Sequence, residues 1–126
     1  MKRRLAMLLV AVIAVSAFGF TGVASAGAAR TRVTIEGPNG DFQGTIESTR
    51  SCLGGRRVFL YKSDSADGPF ERTGNMDTSE RQGDIGVWSL GNTGLRNGYF
   101  YAKATKTDAC RAGRSPVIHL RRGREV

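Results

Sequence analysis

The sequence predicts an all-β protein, a single antiparallel β-sandwich of about seven strands closed by one disulfide. Three observations carry this. Residues 31–121 fall into short β-type runs separated by Gly, Asn, Asp, Ser and Pro, at intervals of roughly 8 to 15 residues. No stretch of ten or more residues repeats its apolar positions with a helical period. Two cysteines, an even pair, stand in a chain whose first residues read as an export signal.

That signal is predicted over residues 1–26. Lys2, Arg3 and Arg4 form a charged start, Leu5 to Phe18 is almost unbroken apolar chain, and Ala24-Ser25-Ala26 supplies small residues at the cleavage position. A retained anchor is the competing reading, but the 14 residues from Leu5 to Phe18 are too few for the roughly 20 that a spanning helix needs. No membrane span is therefore expected after cleavage. The leader holds three of the 19 basic residues and none of the 11 acidic ones, so removing it leaves 100 residues with a net charge of +5. One domain of that size excludes a doubly wound nucleotide fold, a large barrel and a multidomain enzyme. The expected organisation is a flexible mature N-terminus at 27–30, a sandwich domain at 31–120 and a basic tail at 121–126.

The strands follow in order. Thr31 to Glu36 sets Val33 and Ile35 on one face and Arg32 and Thr34 on the other, the two-residue period of a half-buried strand. Gly37-Pro38-Asn39-Gly40 turns the chain into Asp41 to Ser48, where Phe42 and Ile46 are in phase and Gly44 marks a bulge or a close backbone approach. Arg56 to Lys62 is the clearest strand, with Val58 and Leu60 inward. A loop at Ser63 to Arg72 precedes a weak strand at Thr73 to Ser79. Ile85 to Leu90 carries Trp88, Gly91-Asn92-Thr93-Gly94 turns again, Tyr99 to Thr107 follows, and Ser115 to Arg121 is last. Seven such runs fit an immunoglobulin-like sandwich, with a five-stranded barrel as the alternative. The predicted core includes Val58, Leu60, Trp88, Tyr101 and Ile118. The phase of Tyr99 to Ala104 stays open, because Tyr99 and Tyr101 compete with Phe100, Ala102 and Ala104 for the inner face. Tyr101, six residues after Leu95, also fits a tyrosine corner.

Cys52 and Cys110 are expected to form the disulfide, tying two loops at one end of the sandwich. No metal site or cofactor is expected: one His cannot complete a zinc site without carboxylates, and Asp64, Asp67, Asp77 and Asp84 match no calcium loop and read as turn formers. His119 alternates with Ile118 and Leu120 and so points to solvent. With no nucleophile elbow and no base matched to a nucleophile, the chain is not expected to be an enzyme. Arginine dominates the charge, and Arg56, Arg57, Arg121, Arg122 and Arg124 are candidate anion-binding residues, suited to bidentate contact with carboxylate, sulfate or phosphate. No helix-turn-helix or RNA-binding signature accompanies them, so no sequence-specific nucleic acid is expected.

The pattern Phe42-Gln43-Gly44-Thr45-Ile46, Cys52 to Gly55, Arg56 to Lys62, Gly86-Val87-Trp88 and Gly98 to Lys103 resembles secreted bacterial carboxypeptidase-regulatory-like modules, which share the transthyretin-like (prealbumin-like), collagen-adhesin B-type sandwich. The match covers about residues 33–120, and Cys110 followed by Ser115-Pro116-Val117 resembles their cysteine-bridged versions. The resemblance implies a non-catalytic structural, display or binding unit, in the extracellular space of a bacterium. It departs from the isopeptide-bonded members, since no Lys stands in the first strand and no Asn in the last.

The sequence thus leads to a small secreted, monomeric, non-catalytic module with a binding or structural role, whose partner is an extracellular protein or an anionic polymer. Two alternatives stand beside it. One is a protease inhibitor that offers Arg50 or Arg111 from a disulfide-tied loop. The other is a polyanion binder using surface arginines and the basic tail.

Overall fold

The computed structural model describes residues 27–126, so the predicted leader lies outside the described residues. Ten strands run β1 (Arg32–Val33), β2 (Asp41–Glu47), β3 (Arg57–Ser63), β4 (Glu71–Thr78), β5 (Glu80–Gln82), β6 (Ile85–Asn92), β7 (Gly98–Ala104), β8 (Gly113–Arg114), β9 (Ile118–Arg121) and β10 (Arg124–Glu125). Each of the seven expected runs contains a strand, and β5, β8 and β10 are short additions.

The strands form two antiparallel sheets. The smaller has the order β1-β2-β6-β5, and the larger β10-β9-β7-β3-β4, with β8 also paired to β7. This is the strand arrangement of an immunoglobulin-like sandwich. Alternation along each strand supplies the core. Val33, Phe42, Ile46 and Trp88 of the smaller sheet meet Val58, Leu60, Phe100, Ala102, Ile118 and Leu120 of the larger. The Phe42 and Phe100 rings pack across the sandwich with centroids 4.7 Å apart.

The phase left open along β7 resolves in favour of Phe100, Ala102 and Ala104 as the inner face. Tyr101 is buried, but not in the central core. It stacks on Tyr61 and is covered by Phe70 on the outer face of the larger sheet. Gly44 is a close approach: a Cβ there would collide with the Thr34 carbonyl oxygen and lie 2.7 Å from Cζ2 of Trp88. Beyond the short β5, Asp77 of β4 accepts the free Ser89 N–H at 2.8 Å and closes that side of the sandwich.

Cys52 and Cys110 are bridged, joining the β2–β3 loop to the β7–β8 loop across 58 residues. Two expectations about the ends need correction. The segment 27–30 is not free, because Ala29 donates to the Ala109 carbonyl at 2.9 Å and accepts from Arg111 N–H at 2.7 Å. Residues 121–126 are not a tail either. Arg124 pairs with Arg121 and Glu125 with Leu120 through a two-residue turn, in which Arg122 (φ 55°) and Gly123 (φ 78°) are both left-handed. That turn is docked on the body: Asn39 N–H donates to the Gly123 carbonyl, Gly123 N–H to the Arg96 carbonyl, and Arg122 N–H to Asn97 Oδ1. Among the described residues, no helix is long and apolar enough to cross a membrane.

Candidate functional site

Because Val58 and Leu60 point inward, Arg57, Phe59 and Tyr61 point outward, and the pairing register carries that face across the sheet. Phe59 lies opposite Lys103, Tyr61 opposite Tyr101, Tyr99 opposite His119, and Lys103 opposite Arg114. On the other side Met76 pairs with Phe59 and Arg72 with Tyr61. At the far edge Arg121 pairs with Arg124. The outward positions of the larger sheet therefore collect Arg57, Arg72, Lys103, Arg114, Arg121 and Arg124, and no carboxylate. The described ion pairs, Arg32–Glu47 and Lys62–Asp64, use none of these cations.

Between the cations lie rings that interlock. Tyr61 and Tyr101 stack at 4.9 Å and 9°, and Tyr99 stacks on the imidazole of His119 at 4.1 Å and 9°. The Arg72 guanidinium sits 4.1 Å from the Phe59 ring centre, and that of Arg114 sits 4.6 Å from the Tyr101 ring centre. Ring faces are thus spent on one another and on guanidinium planes. Met76 adds an apolar contact, 47% exposed.

The outer face of the smaller sheet differs. Its outward positions include Thr34, Glu36, Gln43, Thr45, Glu80, Val87 and Ser89, and a groove of about 530 Å³ lies over them, with Asp77 also on its wall. Polar and acidic side chains dominate there. The two faces of the sandwich are chemically distinct.

The arginines singled out from sequence separate into three groups. Arg57, Arg121 and Arg124 stand on the cationic face. Arg122 lies in the β9–β10 turn, where its carbonyl accepts from Arg96 Nη2 at 3.2 Å. Arg56 is corrected outright as an anion site, being 1% exposed. Its Nη1 donates to the Cys52 carbonyl at 2.9 Å and to Thr31 Oγ1 at 3.1 Å, while its Nη2 donates to the carbonyls of Arg111 at 2.8 Å and Thr105 at 3.0 Å. Four oxygens fill both terminal nitrogens, and no carboxylate is among them. Burial lowers the guanidinium pKa from its ordinary value.

Val58, Leu60, Trp88 and Ile118 sit in the core as expected. His119 is outward on β9, half-buried against Tyr99. Asp64 accepts from Lys62 at 2.8 Å at the end of β3, and that hydrogen bond, then the lysine charge, hold its carboxyl below the usual range. Sequence reasoning missed Arg72 and Lys103 as members of the face. The signal for Lys103 lay in the phase of β7, and Arg72 is placed only by its pairing with Tyr61.

No family model, no curated protein and no solved structure matches the chain.

Proposed function

We propose that the protein is a small secreted, non-catalytic binding module, and that its binding surface is the outer face of the larger sheet, taking an anionic partner. One observation carries the reading: six cations and no carboxylate share the outward register of that sheet, around a centre of interlocked rings. Tyr, Phe, Met and Arg are the residue types enriched at protein interfaces, and arginine forks match carboxylate and phosphate geometry. The export signal read in residues 1–26 and the disulfide support an extracellular setting. The all-β sandwich with one disulfide is compatible with a carboxypeptidase-regulatory-like module.

The inhibitor reading draws less support. A substrate-like loop must offer the carbonyl of its arginine to the protease oxyanion hole. The Arg111 carbonyl already accepts from Arg56 Nη2 at 2.8 Å and Thr31 Oγ1 at 2.7 Å, and Arg50 is wound into a short 3-10 turn.

The test compares two double charge reversals with equal net charge. Arg72→Glu with Arg114→Glu alters the proposed face, while Arg30→Glu with Arg50→Glu lies off it. Binding to a polyglutamate probe should weaken about tenfold more in the first than in the second, the sum of two exposed charge contacts. Equal losses in both would mean that net charge alone drives association, and the face reading would fall.

A further inference from the structure

We infer that the anionic partner of the cationic face is a second copy of this chain, docked through the outer face of its smaller sheet; this rests on the binding-face reading above and names its partner.

The smaller sheet carries the opposite charge on its outward side. Asp41, Glu47 and Glu80 stand at outward strand positions, Glu36 joins them through its bridge to Gln43, and Asp77 stands on the wall of the groove. Within the strands of that sheet Arg32 is the one outward cation, and Glu47 already holds it at 3.8 Å. Five carboxylates and one guanidinium give this face a formal charge of −4, against six cations and no carboxylate on the other. The two sets are complementary, and they lie on opposite sides of one sandwich. Each face also bares a large apolar side chain, Met76 (47% exposed) on the cationic side and Ile85 (36%) beside Val87 on the acidic side.

The size of the faces sets the strength. A face of four strands, the longest of them seven or eight residues, is about 14 Å wide and about 24 Å long. Two such faces brought together remove on the order of 700 Å² from water, below the area of permanent complexes, so the contact is weak and reversible. Whole copies, each with a net charge of +5 after loss of the leader, repel at long range. At about 0.1 M salt the Debye length of roughly 10 Å screens that repulsion more than it screens charges in direct contact. The monomer expected from the sequence is then the dilute state.

The contact joins two different surfaces, so it does not close as a symmetric pair. Every added copy leaves one cationic and one acidic face free, and association continues as an open stack.

Sedimentation velocity on oxidised residues 27–126 tests this over a concentration series, with polyglutamate binding measured in parallel. In about 0.1 M NaCl the mean mass of the parent should rise with concentration past that of a dimer, and in about 1 M NaCl it should fall to the monomer. Arg72→Glu with Arg114→Glu, and separately Glu36→Lys with Glu80→Lys, should each weaken self-association about tenfold. The first variant has its net charge reduced from +5 to +1, which on net charge alone would strengthen association, so its loss isolates the face. An equimolar mixture of the two variants should associate again, because each keeps the face that the other lacks. A parent that stays monomeric but binds polyglutamate overturns the stack and leaves the cationic face as a site for another anion. Self-association that survives high salt or either double reversal, or that the mixture fails to restore, also overturns the stack. A parent that neither associates nor binds polyglutamate overturns both readings. Circular dichroism on each variant separates loss of association from loss of fold.

Discussion

Nη2 of Arg56 donates to the carbonyl oxygen of Arg111 at 2.8 Å, across 55 residues of sequence, directly beside the Cys52–Cys110 bridge. The same guanidinium holds the Cys52 carbonyl, the Thr105 carbonyl and Thr31 Oγ1. One buried cation thus fastens the first strand, the β2–β3 loop and the β7–β8 loop, the last two of which the disulfide also joins. Bridge and guanidinium are two fastenings of one end of the sandwich.

Replacing Arg56 by Met keeps most of the volume but removes one donor from each of four oxygens, of which the Arg111 carbonyl keeps Thr31 Oγ1. Some of that loss is offset because no charge is then buried, so the cost should be about 2–4 kcal/mol, or roughly 10–25 °C in Tm for a domain of this size. Lys at this position, a single point donor, should rescue little of it. A Tm within about 3 °C of the parent for Arg56→Met would contradict the fastening role.

Removing the bridge by Cys52→Ala with Cys110→Ala should cost about 4 kcal/mol through unfolded-state entropy in the chain-entropy model, given the 58-residue separation. Urea unfolding of oxidised and reduced protein measures it. If Arg56 still fastens that end of the sandwich in the reduced form, exchange of the Arg111 amide, which donates to the Ala29 carbonyl, should speed up no more than the fall in global stability requires; faster exchange than that would show local opening and contradict the clamp.

Gly44→Ala places a methyl group against the Thr34 carbonyl and the Trp88 indole. Overpacking against backbone should cost about 2–3 kcal/mol, together with a change in the near-ultraviolet signal of Trp88. A neutral substitution would mean that β1 and β2 separate there without penalty.

Lys62 holds the Asp64 carboxyl below its ordinary value. A depressed folded-state value adds stability above the unfolded pKa, near pH 4, and that contribution is lost as pH falls through the folded value. The stability advantage of the parent over Asp64→Asn should therefore be present at pH 6 and vanish towards pH 2. An advantage that persisted unchanged at pH 2 would show that the pair is not its source.

Much of the fold is legible in the sequence because long strands announce themselves. The Val58 and Leu60 alternation defines β3, and with it the outward side on which Arg57, Phe59 and Tyr61 stand. Along β7 the signal is ambiguous because both faces are apolar: one packs into the core, and the other is closed by rings and Arg114. Arg56 reads as a surface charge because its four partners come from three separate segments, which only the fold brings together. The strands β5, β8 and β10 are two or three residues long, and a pairing that short depends on neighbours rather than on its own composition. The cationic face is legible in part, since Arg57, Arg121 and Arg124 belong to it, while Arg72 joins only through its register with Tyr61.

The short β10 has a protective role. Arg124 and Glu125 occupy the lateral hydrogen-bonding positions of β9 at Arg121 and Leu120, and Val126 N–H takes the His119 carbonyl at 2.9 Å. Without them β9 would present an open rim of donors and acceptors, a template on which further chains could align. Two charged residues on a strand this brief satisfy that rim and leave little of their own for another molecule to extend. Shortening the chain to Arg121 should therefore first be felt as sticking between molecules at high concentration, before any loss of the sandwich itself.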